Sequence, residues 1–169
     1  MSFVIAIDVG IKNLSFIVWD FNTTQIVHWD NVCLVPNGRY IPQHNVLYVR
    51  ALVAKYAHYF HNAFALLIER QIRCNMRIIE AVLQSMFFER TIVISAKSVK
   101  AHYNLSTKNY KANKLAAVEW AKSFVFNNPS VFASDYAARF SRSKKQDDLA
   151  DSLLLLMYYL DTYSNQVET

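Results

Sequence analysis

The chain is poor in the residues that cross-link, punctuate or anchor a protein. Its two cysteines, Cys33 and Cys74, lie far apart and outside any C-x-x-C pattern. They read as free thiols in a reducing compartment rather than as a disulfide. Two glycines in 169 residues leave little room for Gly-rich phosphate-binding loops. The longest pure aliphatic run, Leu153 to Met157, falls far short of the ~20 residues that span a bilayer. Met1-Ser2 leads straight into an apolar stretch, with no basic n-region, cleavage site or Arg-rich transit segment, so a cytosolic or nuclear protein is expected. No repeat, linker or low-complexity segment interrupts the chain, and residues 1–169 read as one domain. Charged residues are also sparse, at 18%, against 53% hydrophobic. Such a chain has the material for a full core and is expected to fold.

The charge that is present is uneven. The formal net charge is +5, and Lys97 to Lys145 holds ten Lys/Arg against only Glu119 and Asp135. Elsewhere the chain is slightly acidic. One basic region on such a background has the look of an electrostatic footprint for a polyanion. Solvated helix lysines are the plainer reading of the same composition.

Hydrophobic periodicity supplies the elements. Phe3 to Val9, Asn13 to Phe21 and Gln25 to Val35 read as strands in an antiparallel meander, with Gly10 and Asn22-Thr23-Thr24 at the turns. Asn37 to Gln43 reads as a loop. Val46, Val49, Val53, Tyr56 and Phe60 recur at helical steps, which predicts one amphipathic helix over Pro42 to Asn62. Phe64 to Glu69 is a fourth strand, Asn75 to Glu89 a helix, and Thr91 to Ser95 a fifth strand. Ser95 is placed to cap a short helix over Ala96 to Tyr103. Helices over Lys111 to Phe126 and Gln146 to Tyr163 complete the chain, while Asp135 to Ser143 has no clear assignment. This order predicts an α/β protein: a mixed five-stranded sheet flanked by helices, with three meandering strands and two parallel ones. The layout resembles the ribonuclease H-like fold.

Acids sit where this layout makes them conspicuous. Asp8 is near the carboxyl end of the first strand and Glu69 ends the fourth, so parallel neighbours deliver both to one edge. The stretch KKQDDLADSLLLL then begins the last helix with three aspartates. Asp148 and Asp151, at i and i+3, share a helix face beside the apolar stripe of Leu149, Leu153, Met157 and Leu160. Acids in a first turn favour the helix N-terminus by a few tenths to ~1 kcal/mol, which is their plain structural role. A cation explains in addition why four carboxylates should converge. An all-oxygen set without nearby Cys or His suits Mg²⁺ or Mn²⁺ rather than zinc. Two such ions ~3.5–4 Å apart serve phosphodiester hydrolysis.

Four segments in order carry a family resemblance over nearly the whole chain: Ile7-Asp8-Val9-Gly10-Ile11-Lys12-Asn13; Ile68-Glu69-Arg70-Gln71 with Arg73; Lys114 ahead of Val118-Glu119; and Asp147-Asp148-Leu149-Ala150-Asp151-Ser152. Together they resemble the RuvC-type Holliday junction resolvases, above all the poxvirus branch, with the fungal mitochondrial branch similar in the same motifs. The resemblance implies a structure-selective endonuclease that resolves branched DNA by metal-dependent hydrolysis with paired nicks. It implies a homodimer and, for the poxvirus branch, processing of concatemeric viral genomes in the host cytoplasm. Asp8, Glu69, Asp148 and Asp151 match the metal-binding acids, implying Mg²⁺ or Mn²⁺ with two ions per site. Lys114 matches a basic residue at the scissile phosphate, with Lys111 as the alternative. Asp147, one residue before Asp148, is not excluded as a ligand by sequence geometry.

Lys12, Arg70, Arg73, Arg77, Lys111, Lys144 and Lys145 are the candidate DNA contacts. Gly10 fits either a tight turn or a close approach of backbone to metal or phosphate. Met86-Phe87-Phe88 reads as core or dimer contact. Ile78, Ile79, Val82, Leu83, Met86 and Phe87 put apolar groups on more than one face of their helix, which predicts a dimer contact there. His28, His44, His58, His61 and His102 show no ligand spacing. Two other readings share these features. The I-D-x-G-x-K start fits an actin-like phosphotransferase, against which the scarcity of glycine counts. A non-catalytic nucleic-acid-binding module fits the fold, against which the presence of all four acids counts. No membrane contact or small-molecule cofactor is expected.

Overall fold

The computed structural model describes residues 2–35 and 38–163; Asn37 of the expected loop lies outside them. Five strands, β1 (Phe3–Asp8), β2 (Leu14–Asp20), β3 (Gln25–Val32), β4 (Ala63–Glu69) and β5 (Thr91–Ile94), form one sheet in the order β3-β2-β1-β4-β5. β1 is antiparallel to β2 and parallel to β4, and β4 is parallel to β5. The mixed sheet expected from the sequence is therefore present.

β1 is apolar up to its terminal Asp8 because both of its faces are covered. Val4 and Ala6 face one core, shared with Ala65 and Leu67 of β4. Ile5 and Ile7 face a second core, shared with Phe16 and Val18 of β2. The first core is covered by α5 (Tyr110–Asn127) and α7 (Gln146–Thr162), the second by α1 (Asn45–Lys55) and α3 (Cys74–Met86). α7 buries Leu149, Ala150 and every residue from Ser152 to Leu156, so its run of leucines belongs to the protein interior. Among the described residues, no helix is long and apolar enough to cross a membrane.

α3 ends at Met86 rather than Glu89, followed by a 3₁₀ turn over Phe88–Arg90, and three other assignments differ from the sequence expectation. The single helix over Pro42 to Asn62 is instead a 3₁₀ turn (Pro42–His44), α1, and α2 (Ala57–Asn62). Tyr56 leaves helical geometry at φ −114°, ψ 30°, and its ring packs on Phe16 at 4.7 Å and His28 at 5.2 Å. The apolar period continues across the break, which hides it in the sequence. β3 stops at Val32, three residues early; beyond it Leu34 donates a lone backbone bond to Ile11. The unassigned segment forms α6 (Tyr136–Arg142), whose Phe140 stacks on Trp29 of β3 at 4.9 Å. α4 (Ala96–His102) begins at the expected Ser95 cap, whose hydroxyl accepts from the Lys97 amide.

A candidate acidic centre at the sheet edge

The parallel pairing of β1 and β4 sets Ile7 beside Ile68, so Asp8 and Glu69 leave the sheet at the same edge. β1's other neighbour places Ser15 opposite Asp8. Ser15 is fully buried, and its hydroxyl lies 2.7 Å from that of Ser152, also fully buried, on the first turns of α7. Trp29 Nε1 donates to Ser152 Oγ at 3.3 Å and to the Leu149 carbonyl at 3.2 Å. These bonds tie α7 to β2 and β3 at the turn that presents Asp148 and Asp151.

The electrostatics record the result. Asp8 is raised well above the ordinary carboxylate range, by burial first and then by Glu69, Asp151 and Asp148. Glu69 is pushed up to about 7, by burial and then by Asp151, with Lys100 and Lys114 opposing. Burial raises Asp151 despite an ion pair with Lys100 at 3.2 Å. Burial and then Asp147 raise Asp148, whose Oδ2 is buried without a hydrogen-bond partner. Asp147 behaves differently. Burial favours its neutral form, but the hydrogen bond and charge of Lys114 win, and it falls below the usual range. Lys114 is correspondingly raised; burial opposes its charge and Asp147 more than compensates.

The fit to a hard divalent cation rests on this donor set. Every candidate is a carboxylate oxygen, burial first and neighbouring acids second raise all four pKa values, and Asp148 Oδ2 is an orphaned acceptor. Among the described residues, no three His, Cys, Asp or Glu groups already stand close enough to hold an ion. The carboxylates share an edge, and the ammonium groups of Lys100 and Lys114 sit among them.

The basic residues divide into groups. Lys12 and Lys145 line a polar cleft of about 300 Å³ with Asp8, Gly10 and Asp148. Asn31 Nδ2 donates to the Lys145 carbonyl at 3.3 Å, fixing the backbone there. Arg70 and Arg77 line a second polar cleft of about 480 Å³, with Gln71 and Glu80. In it Glu80 accepts from the Gln71 amide at 2.7 Å, while the Gln71 side chain donates to the Glu69 carbonyl at 3.0 Å. Arg73, Lys111 and Lys144 are exposed, and no contact links them to the acids. Of the two lysines weighed for the phosphate, Lys114 is the one beside the carboxylates.

Sequence reasoning missed Lys100 as a site residue. The only available signal was its membership of the basic stretch; its approach to Asp151 depends on how α4 crosses α7. The Gly10 expectation is answered locally. A Cβ there would stand 2.3 Å from the Asn13 carbonyl oxygen, so the chain's own backbone needs the space.

A three-strand meander extended by two parallel strands is the α/β layout of the ribonuclease H-like fold, and here carboxylates gather at one of its edges. The chain belongs to the poxvirus A22 protein family, whose model matches residues 2–162. Solved structures share the fold. The yeast mitochondrial Holliday junction resolvase Ydc2 is 20% identical, with TM-score 0.70 over 90% of this chain and 76% of its own. The fowlpox virus Holliday junction resolvase is 16% identical, with TM-score 0.66 over 95% and 98%. RuvC of T. thermophilus, solved with a Holliday junction substrate, is 16% identical with TM-score 0.55 over 96% and 97%. The comparison with curated proteins gives no match.

Proposed function

We propose that this chain is a Holliday junction resolving endonuclease that cuts branched DNA in symmetric pairs during the processing of viral genome concatemers. The observation that carries the reading is the convergence of Asp8, Glu69, Asp148 and Asp151, from three elements, on one sheet edge. Membership of a poxvirus family and the names of the structural relatives support it. An actin-like phosphotransferase lacks a second Gly-rich loop here, and a purely binding module has no need of four mutually repelling acids. Residues 1–169 act as one nuclease domain at a cytoplasmic site of viral replication.

Asp8, Glu69, Asp148 and Asp151 hold the cation, Mg²⁺ or Mn²⁺, two ions per site. Asp147 is left to Lys114, since that pair is already satisfied while Asp148 Oδ2 is not. A cation held by these four residues would supply a Lewis acid for water and for the phosphate oxygens. The chain's own residues do the rest. Lys114 and Lys100 bring positive charge beside the acids, where it can meet a non-bridging phosphate oxygen. Lys12 and Lys145 hold the backbone across the near cleft and Arg70 and Arg77 across the far one, with Arg73, Lys111 and Lys144 as outer phosphate contacts. These contacts are sequence-independent, so selectivity comes from the shape of the branched substrate.

A four-way junction presents two equivalent strands, which a twofold dimer matches. α3 supports this assembly. Its Ile79 and Leu83 are buried, while Ile78, 40% exposed, lines an apolar groove of about 540 Å³ with Val82, and Met86 is 41% exposed one turn on from Val82. A second copy of the chain docking on that face pairs two acidic centres. The test is incubation with labelled four-way junction and matched linear duplex in Mg²⁺, Mn²⁺ or EDTA. Cleavage of the junction alone, and only with metal, supports the reading; equal cutting of both, or cutting in EDTA, overturns it.

A further inference from the structure

Tyr110 opens α5 and is 69% exposed. A single exposed aromatic is ordinary on a protein surface, and Phe126, 85% exposed near the other end of the same helix, is such a case. Tyr110 differs in its neighbours. Lys114 Nζ lies 5.6 Å from the ring centroid, and the same ammonium pairs with Asp147. The charge of Lys114 also acts on Glu69, Asp148 and Asp151. The ring therefore stands on the rim of the acidic centre, whereas Phe126 is ~24 Å further along the helix axis.

The approach to the ring is also fixed. Thr107 donates to Asn113 Oδ1 through both its amide, at 2.7 Å, and its hydroxyl, at 2.6 Å. Asn113 Nδ2 donates back to the Thr107 carbonyl at 3.0 Å. Asn109 Oδ1 accepts from the amides of Lys111 and Ala112. Tyr110 is thus presented by a hydrogen-bonded loop and a capped helix end, which limits the ordering cost of binding against it. Lys114, four residues on, puts positive charge on the same helix face. An exposed, pre-set aromatic ring beside a cation is what an unstacked nucleobase joined to a phosphodiester would recognise.

We infer that Tyr110 is a stacking site for a nucleobase next to the scissile phosphate, a base that has lost its continuous stack at the exchange point of the junction. This rests on the resolvase reading above and adds a base contact to a site otherwise built from phosphate contacts. It makes Tyr110 a specificity-determining residue: a continuous duplex keeps its bases stacked and has none to offer.

The experiment places 2-aminopurine, in turn, at each nucleotide flanking the exchange point of a synthetic four-way junction. Fluorescence and affinity are read in Ca²⁺ with wild type, Tyr110→Ala, Tyr110→Phe, Tyr110→Trp and Phe126→Ala, each checked by thermal melting. Wild type, Y110F and F126A should quench one flanking position at least twofold, and Y110W at least as strongly. Y110A should lose the quenching and bind the junction about tenfold more weakly, within the range for loss of one base–ring stack. Quenching by Y110A equal to wild type overturns the stacking site. So does a loss in Y110F as large as in Y110A, which would move the role to the hydroxyl, or an equal loss in F126A. In parallel, wild type that neither binds nor cuts the junction in Mg²⁺ overturns the resolvase reading itself. Wild type that cuts while Y110A behaves identically overturns only the stacking site.

Discussion

Replacing Glu69 by glutamine should make the protein more stable while removing its activity. In the unfolded chain Glu69 ionises near ~4.3, whereas in the fold burial, then Asp151, pushes it up to about 7. The folded protein thus keeps a proton that the unfolded chain releases. The stability linked to it is fully present below the unfolded value and is lost as pH rises through about 7. At ~1.4 kcal/mol per tenfold, ionised Glu69 taken alone costs the fold roughly 4 kcal/mol at pH 8. Because it shares its titration with Asp8 and Asp151, roughly 1–3 kcal/mol is the working range. Glu69→Gln keeps the shape and removes the charge. At ~2–4 °C per kcal/mol for a chain of this size, its melting temperature in EDTA at pH 8 should exceed wild type by roughly 3–10 °C. The gap should close toward pH 4.5, where the wild-type carboxyl is neutral in the fold. Mg²⁺ should stabilise the wild type at pH 8 and the variant much less. Melting curves over pH 4.5–8, with and without Mg²⁺, check all three. An E69Q protein that melts at or below wild type at pH 8 in EDTA would refute the argument that this carboxylate is held at a cost for a cation.

Five further outcomes follow from the same geometry. Asp8→Asn, Asp148→Asn and Asp151→Asn should each lower single-turnover cleavage by at least a hundredfold with junction binding retained, while Asp147→Asn should be milder; an inactive D147N beside an active D148N would reassign the ligand. Lys114→Ala should lower the cleavage rate more than affinity. Lys100→Ala should shift the acidic limb of the pH–rate profile to higher pH, because the ammonium lowers the carboxyl pKa values of Asp151, Glu69 and Asp8; an unmoved limb removes Lys100 from that role. Ser152→Ala should cost about 1–3 kcal/mol in urea unfolding by orphaning the buried Ser15 hydroxyl, and Ser15→Ala less, because Ser152 keeps the Leu149 carbonyl and Trp29; the double variant should cost less than the two together, and strict additivity would show that the pair is not coupled. Met86→Glu should give monomers by sedimentation that nick but do not make paired cuts; a dimer unaffected by that charge would place the interface elsewhere.

Much of this was legible in the sequence because it depends on local pattern. β1 and β4 are apolar runs ending in an acid, and parallel pairing of such strands carries their ends to one edge. The i, i+3 spacing of Asp148 and Asp151 fixes a helix face before any packing is known. What the sequence hid depends on contacts between distant segments. The break at Tyr56 answers to Phe16 and His28, and the short α6 to the ring of Trp29. Ser15 and Ser152 look like ordinary small polar residues until the sheet and α7 bring their hydroxyls together. Lys100 shares a short helix with Lys97, and only the crossing of α4 over α7 aims it at Asp151. Lys111 and Lys114 were indistinguishable by composition; the ion pair with Asp147 separates them.

The most direct measurement is the product formed from a supercoiled plasmid carrying an extruded cruciform. Two coordinated nicks across the four-way junction convert the circle directly to linear DNA, whereas unpaired nicking yields relaxed circles. The wild-type protein should give linear DNA as its first product in Mg²⁺ or Mn²⁺, and no product in EDTA or with Asp8→Asn. Relaxed circles alone, or cleavage that persists in EDTA or in the Asp8 variant, would contradict the account.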